Sequence, residues 1–188
     1  MLRIGMIGEF PTDIMAVKNL LIKRFEDLDF FPLVYDIHGS SLENPKIKSQ
    51  LRREYQIEKP DYVLFVRDLD GHESDKDRMQ KRKDYFAEFN SVVDKKGFLL
   101  LHIQELEAVL LSDVSVLNSH YGVSLDPIDN CMEVPSPKEY LKARIKEFSQ
   151  GDNPMLFGLY DIDRVIDNCS YFRRFIQIVD PHFALKKG

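Results

Sequence analysis

The chain has 188 residues, 31 acidic and 26 basic, for a formal net charge of −5, with 44% hydrophobic and 30% charged residues. That length suits one domain with its own core, and the composition is too apolar for disorder. The acidic balance argues against a broad basic surface that grips nucleic acid by charge alone, but not against an acidic site that reaches phosphates through metal ions.

Leu2–Ile7 reads as a short buried strand, broken by Gly8, Glu9, Phe10 and Pro11. Thr12 is placed to cap the next helix, where Ile14, Val17, Leu21 and Phe25 keep helical spacing. Phe31–Ile37 looks like a second strand, and Gly39–Ser41 a turn. Asn44-Pro45 opens a helix with Ile47, Leu51 and Tyr55 on one face. Tyr62–Val66, YVLFV, is continuously apolar, as a strand covered on both sides should be. The polar run 72–83 leads into a long amphipathic helix with Tyr85, Phe86, Phe89, Val92 and Val93 inward, ended by Lys95-Lys96-Gly97. Phe98–Ile103 is a fourth strand.

This rhythm predicts an α/β fold with a mainly parallel sheet. Beyond residue 104 the pattern turns helical: ELEAVLLSD, then Val114–Tyr121, a loop over 126–137, and a charged helix Pro137–Phe148. Gln150–Pro154 reads as a loop. Two short helices follow, capped at Asp161 and Ser170. Neither an internal repeat nor a low-complexity segment stands out. Cys131 and Cys169 lie in no CxxC and read as buried thiols of a reducing compartment. Glu9 interrupts the apolar start too soon for a signal peptide or anchor, and no apolar run approaches the ~18 residues of a membrane helix. The expected location is the cytoplasm.

Asp68-x-Asp70 ends the third strand. Residues i and i+2 of a strand share a face, roughly 6–7 Å apart, so both carboxylates can reach one divalent ion. Open α/β sheets bind ligands beyond the carboxyl ends of their strands. The plainer alternative is a solvated acidic turn. Glu9 falls at the same edge, where a helix N-terminus also favours an acid. Glu105-x-Glu107 follows the fourth strand: the two side chains align if extended and diverge by about 200° if helical. Such carboxylates suit Mg2+ or Mn2+.

His72 stands where it can touch a phosphate or leaving group, while His102 reads as a core residue. His38, His120 and His182 have no partner pattern. No Ser-His-Asp arrangement, GxxxxGK[ST] loop or GxGxxG can be read, which argues against an intrinsic ATPase or a dinucleotide enzyme. Residues 1–135 carry a balance of −7 and residues 136–188 of +2. The basic run Lys76, Arg78, Lys81, Arg82 and Lys83, and the pair Arg173-Arg174, are solvated faces or phosphate guides. Phe172 and Phe175 read as core.

IGEFPTD, VRDLDG and ELEAVLLSD resemble a TOPRIM-type domain, and more closely the bacterial family called domain of unknown function 4276. PSPKEYLKARI and IDRVIDNCSYFRRF resemble that family's tail. The resemblance implies a TOPRIM-like, Rossmann-like core over residues 1–113 and a helical extension over 114–188, packed as one unit. It is also similar to the nucleases of the overcoming-lysogenization-defect class. It thereby implies catalytic Glu9, Asp68 and Asp70, with Glu105 and Glu107 as further metal ligands. A separate ATPase subunit, a nucleic-acid substrate and a role in anti-phage defence follow from the same resemblance. Phe10-Pro11 and Val109 depart from the family's pattern.

The expected function is a Mg2+- or Mn2+-dependent nuclease or related phosphodiester enzyme. The alternatives are a non-catalytic TOPRIM-like subunit of an ATPase complex, or a phosphatase built on another doubly wound sheet.

Overall fold

The computed structural model describes residues 1–34, 37 and 42–184. The strand–helix alternation is present as β1 (Arg3–Ile7), α1 (Pro11–Leu21), β2 (Asp29–Pro32), α2 (Pro45–Glu58), β3 (Tyr62–Asp68), α3 (Lys76–Asn90) and β4 (Gly97–His102). All strand pairs are parallel, in the order β2-β1-β3-β4. Helices flank the sheet, and the arrangement is consistent with a Rossmann-like α/β fold. Parallel neighbours need a crossover, and each helix between strands provides one.

The side-chain alternation of the strands divides the interior in two. Ile4, Met6, Leu64, Val66 and Leu100 face a large core shared with α1 and the C-terminal helices. Ile7, Val63 and Phe65 face a smaller core closed by Leu51 and Tyr55 of α2 and Tyr85 and Phe89 of α3. After β4 the chain runs through a 3-10 segment, Leu106–Asp113, into α4 (Val114–Tyr121), α5 (Pro137–Arg144), α6 (Asn153–Leu159), α7 (Ile162–Asn168) and α8 (Ser170–Phe183). None of the helices among the described residues is long and apolar enough to cross a membrane.

Several sequence expectations are corrected. Helix α1 starts at Pro11, whose ring presets the first helical φ, so Phe10 and not Thr12 is the cap residue. Strand β2 begins at Asp29 and ends at Pro32, which has no N–H to extend the ladder. Tyr35, Asp36, His38 and the turn at Gly39–Ser41 lie outside the described residues. The amphipathic helix stops at Asn90, because Asp94 and Lys95 take φ of 54° and 59° in the following turn. Val92 and Val93 are nevertheless buried.

ELEAVLLSD is 3-10 rather than α-helical. Leu106 to Ser112 are all buried, and Leu110 and Ser112 carbonyls accept from Tyr160 and Asn168 side chains instead of an α-helical ladder. The expected loop over 126–137 holds a 3-10 turn at Cys131–Glu133. Helix α5 is shorter than expected, since Ile145 is extended at φ −124°. Gln150–Pro154 is not a loop: Ser149 caps a 3-10 turn that runs into α6. Ser170 is the first residue of α8, and its hydroxyl bonds Met132 Sδ at 3.5 Å rather than capping the helix. Asn44 and Asp161 do cap α2 and α7 through their side chains, and Asp75, which the sequence reading did not single out, caps α3.

Candidate functional site

Strands β1 and β3 are neighbours, so Glu9 and the Asp68–Asp70 turn meet at one sheet edge. The ladder continues past β3 and β4: Leu69 N donates to His102 O (2.9 Å), Asp70 N to Gln104 O (2.8 Å) and Gln104 N to Gly71 O (2.9 Å). Asp70 and Gln104 take φ of 57° and 63° to make this turn. Asp68 is therefore on the strand but Asp70 is not, and strict same-face alternation does not reach it. Asp tolerates the left-handed region better than most residues.

The two sides of β3 differ in charge. Arg67 points to the smaller core and is almost fully buried. It pairs with Glu9 and donates to Glu43 Oε1 at 2.8 Å, with its guanidinium 5.2 Å from the Tyr85 ring centre. Arg82 of α3 donates to the same Glu43 oxygen at 2.7 Å and to Asp70 Oδ2 at 2.7 Å. Its Nε holds the Asp68 carbonyl at 2.9 Å, and Arg78 binds the Asp70 carbonyl. Burial still raises the Glu9 carboxyl pKa; Arg67 opposes the shift and Asp70 adds to it.

Asp68 alternates to the other side, with no ion pair among the described residues. Burial pushes its pKa well above the usual carboxylate range, and Asp13, Glu107, Glu9 and Asp70 push it further. Asp13, in the first turn of α1, rises to about 7 through burial and then Glu107 and Glu9. Sequence reasoning missed Asp13 because an acid in a first helical turn is ordinary. The available signal was its place one turn beyond Glu9.

Glu105 and Glu107 diverge. Glu105 is extended and faces Lys138, accepting from its backbone N at 3.1 Å with Nζ at 3.6 Å. Glu107 is buried and accepts from Gln150 and Asn153 side chains, each at 3.0 Å. It reaches the cluster through its charge on Asp13 and Asp68. Among the described residues no group of three His, Cys, Asp or Glu side chains stands close enough to hold a metal ion. The donor chemistry suits a hard divalent ion, since it is all oxygen and Asp68 lacks a counter-charge. Asp68, Asp13, Glu9 and Asp70 all bring carboxylates to this edge, but as placed they do not converge into such a group.

His102 is a core residue beside Asp68 in the sheet register. Its Nδ1 meets the Tyr171 hydroxyl at 2.8 Å, and burial lowers its pKa to about 3, so it is neutral. His72 turns to Glu133 (3.1 Å) and Ser74 (2.8 Å), His120 packs on Tyr121 and His182 on Phe98. Arg173 holds the Ile166 and Asp167 carbonyls, and Arg174 reaches Glu73 at 3.3 Å. Both cysteines are buried free thiols. No family model, curated protein or solved structure matches the chain.

Proposed function

We propose that the chain is a TOPRIM-like, Mg2+- or Mn2+-dependent nuclease or related phosphodiester-cleaving enzyme. The observation that carries this reading is the uncompensated Asp68 carboxylate among Asp13, Glu107, Glu9 and Asp70. Packing so many acids at the end of a buried strand costs stability unless a cation joins them. A bound divalent ion would lower the pKa of an attacking water and neutralise charge on a phosphate. To bind it, Asp68 and Asp70 of one turn would draw together with Glu9 and Asp13 of the β1–α1 segment, which do not converge on one point without it. A nucleic-acid substrate, a separate ATPase subunit, a place in anti-phage defence and a cytoplasmic location rest on the sequence resemblance and composition.

Asp68→Ala should reduce metal-dependent cleavage of DNA or RNA by at least about a hundredfold, the upper end of what disturbing an outer metal partner costs. Cleavage by D68A equal to wild type would sink the assignment. A second reading is a non-catalytic TOPRIM-like binding subunit. It is favoured by the engagement of Glu9, Asp70 and Glu105 with Arg67, Arg82 and Lys138. Calorimetric titration with Mg2+ and Mn2+ separates the two: an intact fold that takes up neither ion supports the subunit.

A further inference from the structure

Arg67 and Arg82 come from different elements, β3 and α3, yet both aim at one atom, Glu43 Oε1, at 2.8 and 2.7 Å. Both guanidiniums are fixed from behind. Arg67 lies over Tyr85 and holds Glu9; Arg82 holds the Asp68 carbonyl and Asp70. The Arg67 side chain is only 3% exposed, and its Nε has no hydrogen-bond partner among the described residues. A buried guanidinium with an unused donor is under-satisfied. Glu43, by contrast, is 42% exposed in its side chain, so water can take its place in solvating that carboxylate. Two convergent arginines sharing one carboxylate oxygen are a geometry that a phosphate, with more acceptor oxygens, fills better.

We propose that Arg67 and Arg82 form an oxyanion subsite for a phosphate group of the substrate, and that Glu43 is a resident stand-in which the phosphate displaces. The ligand's identity rests on the phosphodiester reading above. The alternating order Glu9, Arg67, Glu43, Arg82, Asp70 then seats the phosphate between two carboxylates of the candidate metal set. Glu43 thereby becomes an autoinhibitory and selective contact: an anion that offers only one acceptor oxygen fails to dislodge it, and a phosphate, with an oxygen for each guanidinium, succeeds.

The test is a 31P NMR titration of the full chain with inorganic phosphate, in excess chelator and at low salt. Glu43→Gln removes the competing charge and should tighten phosphate binding by about tenfold relative to wild type. Arg82→Gln in the E43Q background should abolish the gain, with unfolding curves reporting that both variants fold. Arg82 is chosen because it is more exposed than Arg67. Equal binding by wild type and E43Q, or by E43Q and the double variant, overturns the subsite. Because metal is chelated, the outcome is independent of turnover: E43Q that binds phosphate tightly but cleaves nothing with Mg2+ upholds the subsite and sinks the nuclease reading.

Discussion

Arg67 and Asp68 are adjacent in sequence and opposite in circumstance. Strand alternation sends Arg67 into the smaller core, where every acid near it has an arginine partner. It sends Asp68 to the other side, where its neighbours are acids and none forms a pair with it. On the first side charge is neutralised within the chain, and such a network stabilises only while complete. On the second the surplus is left standing, and burial drives carboxyls toward their protonated forms. A protein that needed only stability would compensate both sides. The asymmetry is what separates a structural network from a candidate cation site.

The comparison can be broken most severely at Arg67. Arg67→Met leaves the largely buried Glu9 without its cation, while Glu43 keeps Arg82, and urea unfolding should report a loss of about 3–5 kcal/mol. Asp68→Asn, one residue on, should raise stability at pH 8 by about 1–2 kcal/mol, since it removes a charge that has no partner. Loss of similar size for both variants would refute the contrast.

A further effect is expected from pH. The folded-state pKa of Asp13 is raised from 3.8 to about 7. Between those values the folded chain keeps a proton that the unfolded chain has released. The contribution of this group is therefore full below about pH 4 and is lost as pH rises toward 7, by at most about 1.4 kcal/mol per pH unit. Thermal unfolding of Asp13→Asn should show a flatter profile over that window, and a slope identical to wild type would contradict the shift. The smallest change is expected at Glu105, whose pair with Lys138 is long at 3.6 Å. Glu105→Gln should shift the denaturation midpoint by no more than about 1 kcal/mol equivalent.

The parallel sheet was legible because its signals are local and agree. YVLFV has the composition of a strand covered on both sides, and Asn44-Pro45 carries both a cap and a preset φ. What escaped is set by tertiary contacts. Helix α6 contains Asn153, Pro154 and Gly158 and has little intrinsic helicity; its Leu156 and Phe157 are buried, and Asn19 of α1 donates to the Pro154 carbonyl at 2.7 Å. The meeting of Glu9 with Asp68 and Asp70 followed from strand order and needed no side-chain detail. The Arg67–Glu43–Arg82 chain did not follow, because a lone arginine in an apolar strand and a glutamate far away share no spacing rule.

Helix α8 carries one further consequence. Phe183, in its last turn, packs edge-on against Phe25, Phe30 and Phe98, at centroid separations of 5.4, 6.2 and 5.5 Å. These rings belong to segments the ribosome makes first, and α8 comes much later. The larger core therefore stays open while β1, β2 and β3 wait for their last covering helix. Closure of this kind makes long-range contacts late, which slows folding and exposes unfinished apolar strands to association. The nascent chain is thus at its most vulnerable after β4 has been made and before α8 docks, an interval in which a chaperone that holds apolar segments has the most to protect.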